Sequence, residues 1–221
     1  MKRFQRFALA LVAVALLFGG LAQRSDAAVF VGIGVNVGVA PPALPIYAQA
    51  PAPYPNAIWQ PGYWGWGQNG YYWVPGAWVA APQVGFLWTP GYWGFSAGYY
   101  NWHPGYWGPH IGFYGGINYG FGYYGHGYVG GAWYGGVFRY NTAVTNVDTR
   151  VVHNVYVDRT VVVNHYNDTR YSYNGGAGVR AYPSTTERTY RSQTQYHPQS
   201  QYRPQSGQRP AAHPRPSGRP R

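Results

Sequence analysis

The sequence predicts an all-β protein, a small antiparallel meander built from W-x-P-G-x-W strands and flanked by low-complexity and disordered segments. Three observations predict it. Glycine and proline, 32 and 19 of the 221 residues, punctuate nearly every ten-residue window and leave no 3.6-residue apolar period. A tryptophan motif recurs at near-constant spacing. Asn69-Gly70, a strong hairpin signal, lies between its first two copies.

The chain opens with Lys2, Arg3 and Arg6, an apolar run from Phe7 to Phe18, and then small residues. That order reads as a secretory signal peptide over 1–27, cleaved after Ala27, its apolar run too short to cross a bilayer. Export would deliver the protein to the periplasm, the outer membrane or the exterior. There is no cysteine, which excludes a lipoprotein anchor and disulfide stapling, so stability must come from packing, backbone pairing or assembly.

Cleavage would leave 12 arginines against 4 acids, a net charge of +8, all at or beyond Arg139. From Ala28 to Phe138 there is no Asp, Glu, Lys or Arg. Soluble domain surfaces are normally about a quarter charged. A charge-free aromatic stretch of this length points to a surface that rests against something.

Residues 28–55 hold a period-two Val/Gly strand, Val29 to Val39, followed by a Pro/Ala linker. The aromatic repeat sheet occupies 56–113. W-x-P-G-x-W occurs at Trp59–Trp64, Trp73–Trp78, Trp88–Trp93 and Trp102–Trp107, so that a 29-residue unit is used twice. A turn at Asn69-Gly70 that pairs Trp66 with Tyr71 also pairs Trp64 with Trp73 and Trp59 with Trp78. The second unit likewise pairs Phe95 with Tyr100, Trp93 with Trp102, and Trp88 with Trp107. Joining the units through residues 81–85 sets Trp78 against Trp88 and Trp73 against Trp93, which gives a four-strand meander with two tryptophan ladders. Each strand carries Pro-Gly at one height, read as a kink or bulge that brings tryptophans five apart onto one face.

Residues 114–136 form a Gly/Tyr-rich segment with aromatic and apolar residues interleaved with glycine. Residues 137–178 carry a decapeptide repeat read as short strands, with Asp148, Asp158 and Asp168 in register at turns or surface ion pairs. Residues 179–221 are rich in Arg, Pro, Gln and Ser and read as a basic disordered tail.

Catalytic constellations are missing from this pattern. The acids Asp148, Asp158, Asp168 and Glu187 all fall outside the aromatic block, there is no thiol, and no acid is placed to orient a histidine. The protein is therefore expected not to be an enzyme. His103, His110 and His126 lack carboxylate or thiolate companions and read as exposed loop residues rather than metal ligands. No cofactor is implied.

The candidate site is an aromatic platform of Trp59, Trp64, Trp66, Trp73, Trp78, Trp88, Trp93, Trp102 and Trp107. Indoles in cross-strand rows can form the core of the sheet, since aromatic pairs add roughly 0.5–1.5 kcal/mol beyond area burial. On an open face they can stack on sugar rings, with Gln60, Gln68, Asn69 and Asn101 as the nearby amides. Expected partners are an envelope polysaccharide, peptidoglycan or the outer-membrane surface, with self-association into a fibre or matrix as the rival. The arginine tail suits an anionic envelope partner or simply solubility; export argues against nucleic acid. An outer-membrane barrel is opposed by Pro-Gly in mid-strand.

Read by its outer tryptophans, each copy is W-x-x-G-x-W: "WQPGYW", "WVPGAW", "WTPGYW" and "WHPGYW". This resembles the YXWGXW (WXXGXW) repeat family of small exported bacterial proteins, also labelled BcpO-related. The resemblance implies an exported envelope protein without established activity. Ala77 stands where the sister motifs carry tyrosine.

Overall fold

The computed structural model describes residues 35–162 and 170–193. The expected signal peptide, the start of the Val/Gly strand, the end of the second decapeptide and the start of the third with Asp168, and the tail beyond 193 lie outside those residues. Strand is the prevailing regular structure of the described residues, in small sheets that are chiefly antiparallel.

What enters from the Val/Gly strand is β1 (Asn36–Val37). The first repeat unit follows as β2 (Ala57–Gln60), β3 (Tyr63–Gly67), β4 (Gly70–Val74) and β5 (Ala77–Ala80). Each W-x-P-G-x-W copy is two short strands broken at Pro-Gly, because proline cannot donate to a ladder. β3 pairs with β4 and β2 with β5, with Trp66 opposite Tyr71, Trp64 opposite Trp73 and Trp59 opposite Trp78. The turn residues are Gln68 and Asn69, and Gly70 supplies the left-handed step at φ +100°.

The second unit is β6 (Leu87–Thr89), β7 (Tyr92–Ser96), β8 (Tyr99–His103) and β9 (Tyr106–Gly108). Phe95 faces Tyr100, Trp93 faces Trp102 and Trp88 faces Trp107. Its turn, Ala97-Gly98, has positive φ at both residues (51° and 84°), as a type I′ hairpin demands.

Within each hairpin the register matches the sequence expectation; between hairpins it does not. β5 and β6 share no ladder, and the Trp78–Trp88 and Trp73–Trp93 pairs of a continuous four-strand sheet do not form. Trp78 is engaged elsewhere, its ring against Tyr140 and its Nε1 donating to the Ala50 carbonyl at 2.8 Å. Instead β2 neighbours β6. Trp93 Nε1 also crosses to the Trp64 carbonyl at 2.8 Å.

The Gly/Tyr segment folds. β10 (Asn118–Gly120) and β11 (Tyr123–Tyr124) form one hairpin, and β12 (Gly131–Tyr134) and β13 (Val137–Asn141) form another about Gly135-Gly136, both at positive φ. Two short strands add in parallel, β14 (Val155–Tyr156) to β13 and β15 (Tyr173–Asn174) to β7. The decapeptide copies differ in where their strands fall, β14 ending the first and β15 lying inside the third, but the aspartates of the first two make the same turn contact. Asp148 accepts from the Arg150 N–H at 2.9 Å and pairs with its guanidinium at 2.8 Å. Asp158 accepts from the Thr160 N–H at 2.9 Å.

An ordered element opens the basic tail. Residues Thr185–Gln193 form helix α1. Ser184 and Glu187 make a reciprocal capping box, Glu187 N–H donating to Ser184 Oγ at 3.2 Å and Ser184 N–H to Glu187 Oε2 at 2.8 Å.

Aromatic rings dominate the interior, with a few aliphatic side chains among them. One cluster gathers Leu44, Trp59, Tyr92, Ile111, Tyr114, Ile117, Tyr119 and Tyr123, with Trp64, Trp73 and Trp78 packed on it. A second holds Ile58, Trp107, Phe138, Tyr140 and Val152.

Candidate aromatic site

The nine candidate indoles come together as four cross-strand couples plus Trp66. Trp59–Trp78, Trp64–Trp73 and Trp88–Trp107 have ring centroids 5.3 Å apart, and Trp93–Trp102 5.4 Å. All are tilted or edge-to-face, the geometry the ring quadrupoles favour. Trp66 sits edge-on to Tyr71 at 4.8 Å.

The motif glycine explains why the couples fit. A methyl group on Gly76 would overlap the ring of Trp59, and one on Gly62 the ring of Trp73. The second hairpin repeats this, with Trp88 against Gly105 and Trp102 against Gly91. In every case the first tryptophan of one motif occupies the space over the glycine of its partner. The break at Pro-Gly turns both tryptophans of a copy toward that shared packing.

Exposure divides the set. Trp59, Trp93 and Trp107 are 2% exposed, whereas Trp64, Trp66, Trp73, Trp78, Trp88 and Trp102 are half-buried. Part of that shielding comes from the segment read as a linker. Trp64 Nε1 donates to the Ala43 carbonyl at 3.2 Å and Trp78 Nε1 to Ala50. Tyr47 lies edge-on to Trp73, and its hydroxyl accepts the Gly62 N–H at 3.1 Å. Residues 43–50 are thus a strap across the first hairpin's indoles. Half-buried indole donors need acceptors, and an irregular strand with free carbonyls supplies them.

The tyrosines of the Gly/Tyr segment tie the hairpins together, a role the sequence reading missed. The Tyr123 hydroxyl lies 3.1 Å from the Trp59 carbonyl and 2.9 Å from the Trp88 carbonyl, which are equivalent positions in the two units. Tyr119 donates to Gly91 O at 2.6 Å, and beyond the segment Tyr140 on β13 donates to Ala57 O at 2.9 Å. The available signal was the interleaving of aromatic residues with glycine, but Phe121-Gly122 forms the β10–β11 turn, so Tyr119 and Tyr123 reach the core from the two strands of one hairpin. Burial pushes the Tyr119 and Tyr123 hydroxyls well above the ordinary tyrosine value, so they act as neutral donors and packing groups.

His110 and His126 are exposed in bends between strands, as expected, and His103 is not. His103 lies on β8 with its ring stacked on Tyr92 at 4.4 Å. His126 Nδ1 meets Glu187 Oε1 at 3.1 Å, and His110 stacks on Tyr190, so both dock α1. Burial tends to raise the Glu187 carboxyl, but the Ser184 N–H, His126 and the Ser184 hydroxyl outweigh it and hold the value below the usual one. Among the described residues, no three His, Asp or Glu side chains converge as metal ligands.

The two hairpins just described coincide with two matches to a family model, the WXXGXW repeat, over residues 58–79 and 84–107. The chain carries two copies of the WXXGXW repeat. Each copy is one complete hairpin with its paired Pro-Gly breaks and its reciprocal Trp–Gly contacts. The WXXGXW spacing is therefore the packing unit itself: the outer tryptophans couple across strands and the glycine receives the partner's ring. No curated protein and no solved structure matches the chain.

Proposed function

We propose that this is an exported, non-catalytic structural or interaction protein of a Gram-negative envelope, whose WXXGXW hairpins rest against an envelope polymer or outer-membrane surface. The observation that carries the reading is the charge-free character of the hairpins and of their strap. No charged side chain occurs between residues 35 and 138, although six repeat indoles are only half-buried. A rigid neutral face with tryptophan and tyrosine at its surface suits a partner that is half apolar and half wet. The resemblance to BcpO-related exported proteins supports export, as does the order of segments at the N-terminus.

Co-sedimentation of the full chain with purified sacculi, and separately with outer-membrane vesicles, tests this. Retention by one of them is expected, and it should persist at about 1 M salt, where the Debye length falls to roughly 3 Å. Loss of all retention in salt would assign binding to the arginine-rich tail instead. No retention by either would remove the reading.

Glycan stacking on the repeat indoles draws its support from the six that are half-buried, Trp64, Trp66, Trp73 and Trp78 on the first hairpin beside the strap and Trp88 and Trp102 on the second. Self-assembly has less support, because the Gly/Tyr segment that motivates it is folded into the core.

A further inference from the structure

Away from the repeat indoles, the strap, the β10–β11 turn and the loop 142–147 enclose an open groove of about 650 Å³. None of its lining side chains is charged. Phe121 and Tyr124 contribute aromatic rings, and Gln49 and Asn146 contribute amides.

Gln49 is the singular residue. It is 4% exposed, its Oε1 accepts the Asn146 N–H and its carbonyl accepts Asn146 Nδ2, both at 2.7 Å. Its own Nε2 has no hydrogen-bond partner. A buried donor left unpaired is unfavourable and calls for an explanation. Beside it, Phe121 opens the β10–β11 turn, with φ +52° at Phe121 and +94° at Gly122, and its ring packs on Tyr47 at 5.2 Å.

The lining selects a chemistry. A charged ligand would lose hydration here and gain no counter-charge. A pyranose ring offers an apolar C–H face for Phe121 or Tyr124 and hydroxyls for an amide donor and acceptor. An open groove admits a chain of such rings. We propose that this groove binds a neutral pyranose unit of a polysaccharide, with Gln49 Nε2 donating to a sugar hydroxyl. The proposal rests on the envelope reading above and gives it a second, non-tryptophan contact.

The test is titration of the full chain with cellohexaose and with chitohexaose, which separate plain from N-acetylated sugars, followed by amide NMR. Saturable shifts at the Gln49 side-chain amide and at residues 142–147 are expected with one or both. Gln49→Glu keeps the oxygen that accepts the Asn146 N–H and removes the donor; Ala143→Trp fills the groove and removes no hydrogen bond. Each should weaken binding roughly tenfold or more, while Tyr134→Ala, outside the groove, should not. If Gln49→Glu fails to fold, Ala143→Trp decides. No shift with either sugar at millimolar concentration, or equal binding by folded variants, overturns the proposal. Sacculi retained equally by the variants would sink the groove and leave the envelope reading standing. Groove binding of free sugar without retention by sacculi or vesicles would do the reverse.

Discussion

The indole of Trp59 occupies the space in which Gly76 would carry a side chain. Trp73 does the same to Gly62, so the two motifs of one hairpin grip each other reciprocally. Glycine is demanded here by close approach rather than by backbone conformation, since none of the four motif glycines has a left-handed φ. A methyl group there overpacks the hairpin. Gly76→Ala and Gly105→Ala should each destabilise by about 1–3 kcal/mol in urea unfolding. Gly38→Ala, which meets nothing within 4 Å, should be near neutral.

Tyr123 places one hydroxyl between equivalent carbonyls of the two repeat units. Its removal strands acceptors in a fully buried place. Tyr123→Phe should lower stability by about 1–3 kcal/mol, whereas Tyr134→Phe, 58% exposed, should change little. Equal effects in chemical denaturation would refute the bridging role.

The second hairpin turn contains a correctable strain. Ala97 sits at φ +51°, where an L-residue other than glycine or asparagine is disfavoured by roughly 1–2 kcal/mol. Ala97→Asn creates the preferred Asn-Gly pair and should raise the melting temperature. A fall would contradict the type I′ assignment.

Core tyrosines predict sensitivity to alkali. Tyr114, Tyr119, Tyr123 and Tyr128 are all raised above 10.0, burial being the largest cause in each. A raised folded value means the stabilisation is whole below pH about 10 and fades as pH climbs toward the folded values. Phenolate absorbance should rise first for exposed tyrosines, with a second phase that coincides with loss of near-ultraviolet circular dichroism. One smooth titration with the fold intact would show these hydroxyls to be accessible.

Helix α1 predicts the opposite dependence in acid. Glu187 is lowered from 4.5, so its contribution is whole above the ordinary carboxylate value and fades as pH falls through the folded one. Amide signals of residues 185–190 should broaden or shift below pH about 4.5 before the sheets respond. Ser184→Ala, which removes half of the capping box, should weaken the helix by about 1 kcal/mol at neutral pH. A helix indifferent to both changes would contradict its docking through Glu187.

The hairpin register was legible because two constraints coincided: a turn signal at Asn69-Gly70, and motifs that match only when Trp64 meets Trp73. The join between units was not. It depends on Trp93 reaching the Trp64 backbone and on Tyr123 arriving from far along the chain, contacts that leave no periodicity. The strap read as a linker for a related reason. Its role is to present the Ala43 and Ala50 carbonyls to indole donors, and a carbonyl carries no residue signature. The indoles couple across strands as the spacing predicts, but which of them face outward is set by tertiary cover.

Reciprocal Trp–Gly packing is the claim on which the rest depends, and nuclear Overhauser spectra of the full chain test it most directly. Cross-peaks are predicted from the Hα protons of Gly76, Gly62, Gly105 and Gly91 to the Hζ2 protons of Trp59, Trp73, Trp88 and Trp102 respectively. Assigned spectra in which those four contacts are missing would contradict the packing unit and with it the origin of the motif.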